Sequence, residues 1–222
     1  MSSKNKLERF AENETFGNLF QYSFDRLKEE GFPLKGKWRQ EFFKNDNPIV
    51  LELGCGKGEY TVGLAREHKD VNYIGVDIKG ARMWVGLCSA RNEGLTNVAF
   101  IRTRTEMIDH FFDKDEVDEI WVTFPDPQPS KPRKRLTSPN FLERYRKFLK
   151  EDGVVNLKTD SDLMYEFTVE TAQEAKYPIY YNYDNLYNND DDLEVKKIRT
   201  YYEQMWLDKG LTIKYIRFGI RS

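Results

Sequence analysis

Leu51-Glu52-Leu53-Gly54-Cys55-Gly56-Lys57-Gly58 is the stretch that decides the fold. It places three glycines at alternate positions between a short apolar run, typical of a strand, and the helical pattern Glu59–Glu67. Glycine lets the backbone turn tightly and lets a ligand approach without interference from a Cβ atom. Asp77 ends the next β-rich run, where an open α/β sheet holds a carboxylate that accepts hydrogen bonds from ribose hydroxyls. The combination predicts a site for a nucleotide-type cofactor.

β-rich runs and helical patterns alternate along most of the chain, which is typical of a parallel sheet with crossover helices. We predict an α/β fold with seven strands, at 48–53, 72–78, 98–102, 119–124, 153–158, 179–183 and 213–219. Helices are predicted at 59–67, 79–93, 141–150, 161–175 and 199–209. Residues 1–40 do not follow the alternation and are predicted to be an N-terminal extension with one or two helices. Residues 41–222 are predicted to form a single domain.

Composition excludes several classes of protein. The 222 residues include two cysteines and two histidines, whose spacings match no zinc or disulfide framework, so we expect no metal. No stretch approaches the roughly 18 apolar residues of a membrane helix, and the charged start lacks the apolar core of a signal peptide. We therefore expect a cytoplasmic protein without a membrane partner. The sequence does not predict an oligomeric state.

The glycine loop differs from a dinucleotide-binding loop. That fingerprint needs its third glycine at position 59, which is Glu59. An acidic residue beside the loop would repel a pyrophosphate, but it could help to hold an ammonium or sulfonium group. The loop and the strand-end acid resemble motif I and its partner in class I S-adenosylmethionine-dependent methyltransferases. The resemblance implies S-adenosyl-L-methionine as cofactor, with contacts from Glu52, Gly54, Gly56, Gly58 and Asp77.

A proline-rich basic segment, FPDPQPSKPRKRL, follows the fourth predicted strand at residues 124–136. Its four prolines make it stiff, and open α/β sheets place ligand-facing groups at the carboxyl ends of their strands. We therefore expect Asp126 at the cofactor crevice. The net charge of the whole chain is only −2, so a nucleic-acid partner would need a local cationic patch. Such a patch follows Asp126 and suits a phosphate backbone.

This segment resembles the F-P-D-P-W-x-K-x-x-H-x-K-R-R motif of the bacterial tRNA (guanine-N7)-methyltransferases. KWRQEFFKNDNPIVLELGCGKGEYTVGLA, residues 37–65, is similar to that family's approach to motif I. Lys158-Thr159-Asp160 resembles its K-T-D, and Thr200-Tyr201-Tyr202-Glu203 its T-x-[FY]-E. The resemblance implies a class I methyltransferase (Rossmann-like) fold with a reversed last strand. It also implies methyl transfer to N7 of a guanine in the variable loop of tRNA, giving 7-methylguanosine.

The resemblance also implies roles for individual residues. Asp126 is expected to be the catalytic residue and to contact the cofactor. Arg104 and Thr105 stand where the family has an acidic residue near the adenine, and cofactor contacts are expected from them as well. Substrate contacts are expected from Lys131, Asp160, Thr200, Tyr201, Tyr202 and Glu203, and RNA-backbone contacts from Arg133, Lys134 and Arg135. Ser130 stands where the family has a basic residue, for which we expect Lys131 to substitute, and Gln128 replaces the usual tryptophan.

The chemistry of the implied reaction is compatible with a site that has no histidine. Guanine N7 has an in-plane lone pair and no proton to lose, so the transfer needs alignment more than a strong base. Carboxylates at Asp126 and Asp160 could accept from the N1 and N2 hydrogens of guanine and stabilise its developing positive charge.

Other interpretations remain open at this stage. A class I methyltransferase acting on another RNA, a protein or a small molecule would share the cofactor motifs, and a non-catalytic RNA-binding module would share the fold. Asp126 and Asp160 are also compatible with capping roles. Glu52 is compatible with a carboxylate satisfied by backbone, and residues 200–203 with the start of an amphipathic helix.

Overall fold

The computed structural model describes residues 5–188 and 191–221. The chain divides into two compact units, Met1–Phe112 and Asp113–Ser222. The predicted extension, residues 1–40, lies inside the first unit, and its status as a separate region stays a prediction. Among the described residues, no helix has the length and apolar character needed to span a membrane.

The first unit contains four parallel strands in the order β1-β4-β3-β2. Its strands are β1 (Leu19–Gln21), β2 (Ile49–Leu53), β3 (Asn72–Asp77) and β4 (Val98–Arg102). Its α-helices are α1 (Lys6–Asn13), α2 (Phe24–Glu30), α3 (Glu59–Glu67) and α4 (Gly80–Asn92). A π-helical turn spans Trp38–Phe43 and a 3-10 helix spans Thr105–His110. The three strands predicted in this region are confirmed to within one residue at each end.

β1 is a strand that the sequence pattern did not predict. It pairs in parallel with β4, with Leu19 opposite Phe100 and Gln21 opposite Arg102. Three residues are too few to show an alternation of apolar and polar side chains. The strand forms because it pairs with the edge of β4, and the two segments are far apart in sequence.

Aromatic packing joins the N-terminal extension to the rest of the first unit. The Trp38 side chain is fully buried, and its Nε1 donates to the carbonyl oxygen of Phe111 at 2.9 Å. Its ring also stacks on Phe112, with ring centroids 5.6 Å apart. The extension therefore packs as part of the unit's core.

The second unit contains four strands in the order β5-β6-β8-β7. They are β5 (Val117–Thr123), β6 (Leu149–Thr159), β7 (Ile179–Tyr183) and β8 (Lys214–Gly219). β5 and β6 are parallel, whereas β8 is antiparallel to both β6 and β7, which confirms the expected reversal of the last strand. The α-helices are α5 (Pro139–Tyr145), α6 (Asp162–Glu174) and α7 (Tyr201–Asp208). In the described residues there are thus eight strands, one more than predicted.

The predicted helix at 141–150 is wrong at its C-terminal end. α5 ends at Tyr145, and β6 begins at Leu149, which pairs with Val117 of β5. The Tyr145 hydroxyl donates to the carbonyl oxygen of Leu136, which fixes the end of this short helix. Sheet pairing at Leu149 therefore overrides a local pattern that favours continuation of the helix.

Candidate cofactor and substrate sites

The glycine loop of the first unit has a backbone that side chains rarely adopt. Gly54, Gly56 and Gly58 have φ angles of 80°, 56° and 72°. A Cβ atom built on Gly54 or Gly56 would meet nothing within 4 Å, whereas one on Gly58 would lie 2.7 Å from Phe100. The first two glycines are thus needed for their positive φ angles, which residues with a Cβ atom rarely adopt, and they face open space. The loop forms a cradle that leaves the backbone accessible to a ligand.

Asp77 is held against this loop by two backbone amides. Its Oδ2 accepts from the Gly56 nitrogen at 2.9 Å and its Oδ1 from the Lys79 nitrogen at 2.7 Å. A carboxylate has about four acceptor sites, so each oxygen retains capacity for a ligand hydroxyl. The structure therefore brings the strand-end acid and the glycine loop together.

Glu52 accepts a hydrogen bond from the backbone, which agrees with the interpretation of Glu52 as a carboxylate satisfied by backbone groups. It is 5% exposed, and its Oε2 accepts from the Thr61 backbone nitrogen at 2.9 Å and from the Thr61 hydroxyl at 2.5 Å. The N-cap of α3 is Gly58, which has no side chain to cap the helix. Glu52 supplies that acceptor and places negative charge near the helix N-terminus. Burial, together with the Glu52 and Asp77 carboxylates, raises the pKa of the neighbouring Cys55 thiol well above its usual range.

Arg104 lines a pocket of about 400 Å³ beside Asp77, because the lining residue Ile78 follows Asp77 and the nitrogen of the lining residue Thr103 donates to the Asp77 carbonyl oxygen. The pocket is lined by Gln21, Tyr22, Ser23, Phe24, Ile78, Arg102, Thr103, Arg104 and Met107. Phe24 and Ile78 are large apolar side chains that are 55% and 49% exposed. Arg104 is exposed and is the N-cap residue of the 3-10 helix, whereas its neighbour Thr105 does not line the pocket. The N-terminal extension therefore supplies one wall of this pocket, which sequence reasoning missed.

Arg102, also in the pocket wall, contacts the N-terminal extension through its side chain. Its Nη1 donates to Oε1 of Gln21 at 3.0 Å, and its guanidinium lies over the Phe10 ring at 4.8 Å. These contacts fix β1 and α1 beside the end of β4. The pocket thus has an apolar wall and two arginines, and these contacts hold the Arg102 side chain in place.

Asp126 is exposed in the proline-rich loop of the second unit. Its Oδ1 accepts from the backbone nitrogen of Gln128 at 3.0 Å, which is a local loop contact. Phe124 and Gln128, on either side of it, have φ angles of 48° and 45°. Positive φ is unfavourable for residues with a Cβ atom, and such strain concentrates at functional sites. The loop holds the Asp126 carboxylate toward solvent in a defined backbone conformation.

Arg135 differs from the rest of the cationic patch. Lys131, Arg133 and Lys134 are exposed, but Arg135 is only 6% exposed. Its Nε donates to the carbonyl oxygen of Pro127 at 2.9 Å, and its guanidinium lies over the Phe167 ring at 4.4 Å. The RNA-backbone contact predicted for Arg135 stays a prediction, with less support than the contacts predicted for its exposed neighbours, because these two contacts hold the Arg135 guanidinium inside the protein. Its contacts anchor the loop that carries Asp126.

Asp160 lies at the end of β6 and is partly exposed. The α6 helix is capped by Ser161, whose Oγ accepts from the Met164 nitrogen at 3.2 Å. Within the part of the chain that the structure describes, the Asp160 carboxylate makes no hydrogen bond or ion pair, and only its backbone carbonyl oxygen accepts, from Lys214. The helix-cap interpretation of Asp160 is therefore wrong, and its carboxylate is available to a ligand.

The residues of the Thr200–Glu203 segment point in two directions. Thr200 is buried, and its hydroxyl accepts from the Glu203 nitrogen at 3.2 Å, so it caps α7. Glu203 is completely buried, with Oε1 lying 2.7 Å from Nζ of Lys158. Tyr201 and Tyr202 are 59% and 40% exposed. Only the two tyrosines therefore face outward from this segment.

Lys158 is a residue of this unit to which sequence reasoning gave no role. Its side chain is fully buried, and burial lowers its pKa while the Glu203 carboxylate opposes that shift. The Tyr187 hydroxyl also donates to Oε1 of Glu203, at 2.6 Å. A lysine near the end of an apolar strand only weakly indicates a buried ion pair, since its partner Glu203 lies far away in sequence.

No cluster of three or more histidine, cysteine, aspartate or glutamate residues suited to a metal occurs in the part of the chain that the structure describes.

Comparison with known proteins relates these features to a family. Residues 46–216 match the family model Methyltransf_4, whose description is "Putative methyltransferase". A tRNA (guanine-N(7)-)-methyltransferase of Bacteroides fragilis is 54% identical over 215 residues, which cover 97% of this chain and 85% of the relative. Its counterpart in Christiangramia forsetii is 53% identical over 224 residues, covering 100% of both chains.

Solved structures give the same fold at much lower identity. The 16S rRNA methyltransferase KamB aligns with a TM-score of 0.63 at 15% identity, covering 84% of this chain and 92% of that one. A SAM-dependent methyltransferase from Aquifex aeolicus aligns with a TM-score of 0.55 at 14% identity, covering 98% and 100%. The fold is the class I methyltransferase (Rossmann-like) fold that the family resemblance implied.

Proposed function

The chain belongs to the tRNA (guanine-N(7)-)-methyltransferase family, and on that premise we propose that it transfers a methyl group from S-adenosylmethionine to N7 of a guanine in tRNA. The product is 7-methylguanosine. The observation that carries the proposal is 53% identity to such an enzyme over the full length of both chains. A binding module without activity, or a methyltransferase for another acceptor, is not favoured by any observation.

The first unit binds S-adenosylmethionine in this proposal. When bound, that cofactor supplies an electrophilic methyl group on a sulfonium. The open backbone at Gly54 and Gly56 fits a ligand that approaches closely, and Asp77 has acceptor capacity for the ribose hydroxyls. Glu52 holds the start of α3 in place and brings negative charge to the loop. Gly58 permits the tight packing of the loop on Phe100.

The pocket beside Asp77 is the site that we assign to the adenine ring. Ile78 follows the ribose-binding acid directly, and Phe24 supplies a second apolar surface. An adenine has two flat apolar faces, which such side chains can cover. Arg104 replaces the family's acid here, and its guanidinium can stack on the ring through a cation–π contact. Thr105 lies next to it without lining this pocket, and the cofactor contact expected of Thr105 stays a prediction.

The second unit holds the guanine in this proposal. The carboxylates of Asp126 and Asp160 accept from the N1 and N2 hydrogens of the base, which fixes the orientation of N7. They also stabilise the positive charge that develops on the ring as N7 is alkylated. Because N7 has no proton to lose, neither carboxylate acts as a base in the transfer. Tyr201 and Tyr202 are exposed and can stack on neighbouring bases.

tRNA backbone contacts come from the exposed part of the cationic patch. Lys131, Arg133 and Lys134 follow Asp126 closely, so phosphates bound there lie near the target base. Lys131 takes the role of the family's basic residue at the Ser130 position. We propose that the enzyme acts in the cytoplasm, where tRNA is available as substrate. Thr200 and Glu203 support α7 and act on the substrate through its position.

A competition between acceptors tests the proposed reaction. The protein and labelled S-adenosylmethionine are incubated with equal concentrations of an unmodified tRNA transcript, a ribosomal RNA fragment and a mixture of proteins, and label is counted in each. We expect label in the tRNA alone. Label mainly in another acceptor would contradict the proposed substrate while retaining the methyltransferase activity, and binding of tRNA without any transfer would support a binding module.

A further inference from the structure

The fully buried ammonium group of Lys158, near the end of β6, contacts three groups of the segment 194–203. Its Nζ lies 2.7 Å from Oε1 of Glu203 and donates to the carbonyl oxygens of Val195 at 2.7 Å and Ile198 at 3.2 Å. An ammonium group has three hydrogens to donate, so one side chain can bind all of these groups. One side chain of the sheet therefore holds a carboxylate and two backbone carbonyls from a distant part of the chain.

The segment that Lys158 contacts has mostly local backbone bonds of its own. Lys196 and Lys197 donate to the carbonyl oxygens of Leu193 and Glu194, three residues earlier. A single 3-10 turn of this kind, at Glu194–Lys196, is a weak element in isolation. Lys158 connects this turn and the start of α7 to the sheet.

Glu203 completes the connection from the other side. It is buried, and its Oε1 accepts from the Tyr187 hydroxyl as well as pairing with Lys158. Its Oε2 has no hydrogen-bond partner among the described residues. Replacing buried ion pairs by apolar side chains is often neutral or stabilising, so net stability is a poor reason for such a pair. A defined conformation of the residues around it is a better one.

We propose that Lys158 is a positioning residue for tRNA methylation, which holds the segment 194–203 in place so that Tyr201 and Tyr202 are presented to the RNA before it binds. The inference deepens the proposed function and rests on it. It assigns no contact between Lys158 and the substrate. Its consequence is that loss of Lys158 loosens this segment and weakens tRNA binding without affecting the cofactor.

Hydrogen exchange and binding measurements on Lys158→Met test this assignment. Methionine retains most of the volume of the lysine side chain and removes all three contacts. We expect amide exchange at residues 194–204 to accelerate at least tenfold, with exchange in β5 and β8 unchanged. The KM and Kd for tRNA should rise at least tenfold, while kcat falls less and the Kd for S-adenosylmethionine changes less than twofold.

Lys214 offers a matched control. It is another buried lysine of the same unit, and its Nζ donates to the carbonyl oxygens of Asp160 and Thr212 and pairs with Asp162. Lys214→Met should leave exchange at residues 194–204 as in the parent protein. The same acceleration in both variants would overturn the assignment, because it would reflect the loss of any buried lysine.

Other outcomes of these measurements are decisive as well. Unchanged exchange and unchanged tRNA affinity in Lys158→Met would overturn the proposal, as would an equal loss of tRNA and cofactor affinity. If Lys158→Met does not fold, Lys158→Met combined with Glu203→Gln removes both charges, and the same exchange and affinity criteria apply to it. If the parent protein fails to methylate tRNA, the proposed function fails, whereas the exchange measurement still decides whether Lys158 holds the segment.

Discussion

The backbone nitrogen of Gly56 donates a hydrogen bond to Oδ2 of Asp77 across 2.9 Å, so the glycine loop and the end of β3 fix each other's position. The carbonyl oxygen of Val76, one residue earlier, accepts from the nitrogens of Gly54 and Cys55 at 2.8 and 3.0 Å. The loop is therefore held by β3 along its length. A ligand that binds both the loop and Asp77 meets a preformed site, which lowers the entropic cost of binding.

Asp77→Asn should weaken S-adenosylmethionine binding at least tenfold. An amide has one acceptor oxygen, and its NH₂ group cannot accept from the Gly56 nitrogen or from a ribose hydroxyl. Hydrogen bonds to a charged group contribute about 1.5–3 kcal/mol, which corresponds to this loss. Isothermal titration calorimetry measures it, with Asp70→Asn at an exposed position as the control. Equal affinity in the two variants would contradict the assignment of Asp77 to the ribose.

Gly86→Ala should destabilise the protein, although alanine is the better helix former. A Cβ at position 86 of α4 would lie 2.7 Å from the Lys57 carbonyl oxygen and 3.2 Å from Cα of Gly58. Such overpacking costs about 1–3 kcal/mol, which exceeds the helix-propensity gain of roughly 1 kcal/mol. Because the displaced atoms belong to the glycine loop, cofactor affinity should fall too. Denaturant unfolding and calorimetry test both effects, with Gly17→Ala, in open space, as the control.

Phe24→Ala should weaken cofactor binding although Phe24 lies in the N-terminal extension. Its exposed ring forms a wall of the pocket assigned to adenine, and removing it takes away apolar surface that the ligand would cover. We expect a rise in the Kd for S-adenosylmethionine of roughly tenfold, the equivalent of about 1.4 kcal/mol. Leu7→Ala, which removes an exposed apolar side chain of α1, should have no effect. If Phe24→Ala binds the cofactor like the parent, the adenine lies elsewhere.

Substitutions in the cationic patch should have two different effects, on tRNA binding at its exposed residues and on thermal stability at Arg135. The triple variant of Lys131, Arg133 and Lys134 to alanine should keep the parent's thermal stability and bind tRNA with a smaller dependence on salt. Each phosphate contact contributes roughly 0.7–0.9 to the slope of log K against log salt, so the slope should fall by about 2–3. Arg135→Ala should instead lower thermal stability, because it removes the contacts with Pro127 and Phe167. An unchanged slope in the triple variant would refute the assignment of these cations to phosphate.

Local signals were sufficient where the structure depends on adjacent residues. The glycine loop, Asp77 and the strand that each follows were predicted correctly because tight turns and strand ends leave marks within a few residues. β1 was missed because three residues carry no period, and the predicted helix at 141–150 extended into β6 because a helical period continued into a paired strand. These errors arise where pairing with a distant strand decides the conformation.

The direction in which a side chain points was harder to predict than its type. Arg135 belongs by sequence to a cationic patch, but the ring of Phe167 and the carbonyl of Pro127 bury it. Glu203 belongs by sequence to a substrate motif, but its partner Lys158 lies on a strand far along the chain. Charge composition identifies the patch and the motif, whereas long-range packing decides which of their members face solvent.

Nucleoside analysis after methyl transfer to two tRNA transcripts, one with a variable-loop guanine and one with that base changed, tests the proposed reaction and its target together. We expect labelled 7-methylguanosine in the first transcript and none in the second. Asp126→Ala, at an exposed loop position, should remain folded and produce at most about 1% of the parent's label, a loss of roughly 2.7 kcal/mol in transition-state stabilisation. Equal labelling of both transcripts, or label in any nucleoside other than 7-methylguanosine, would contradict the central claim.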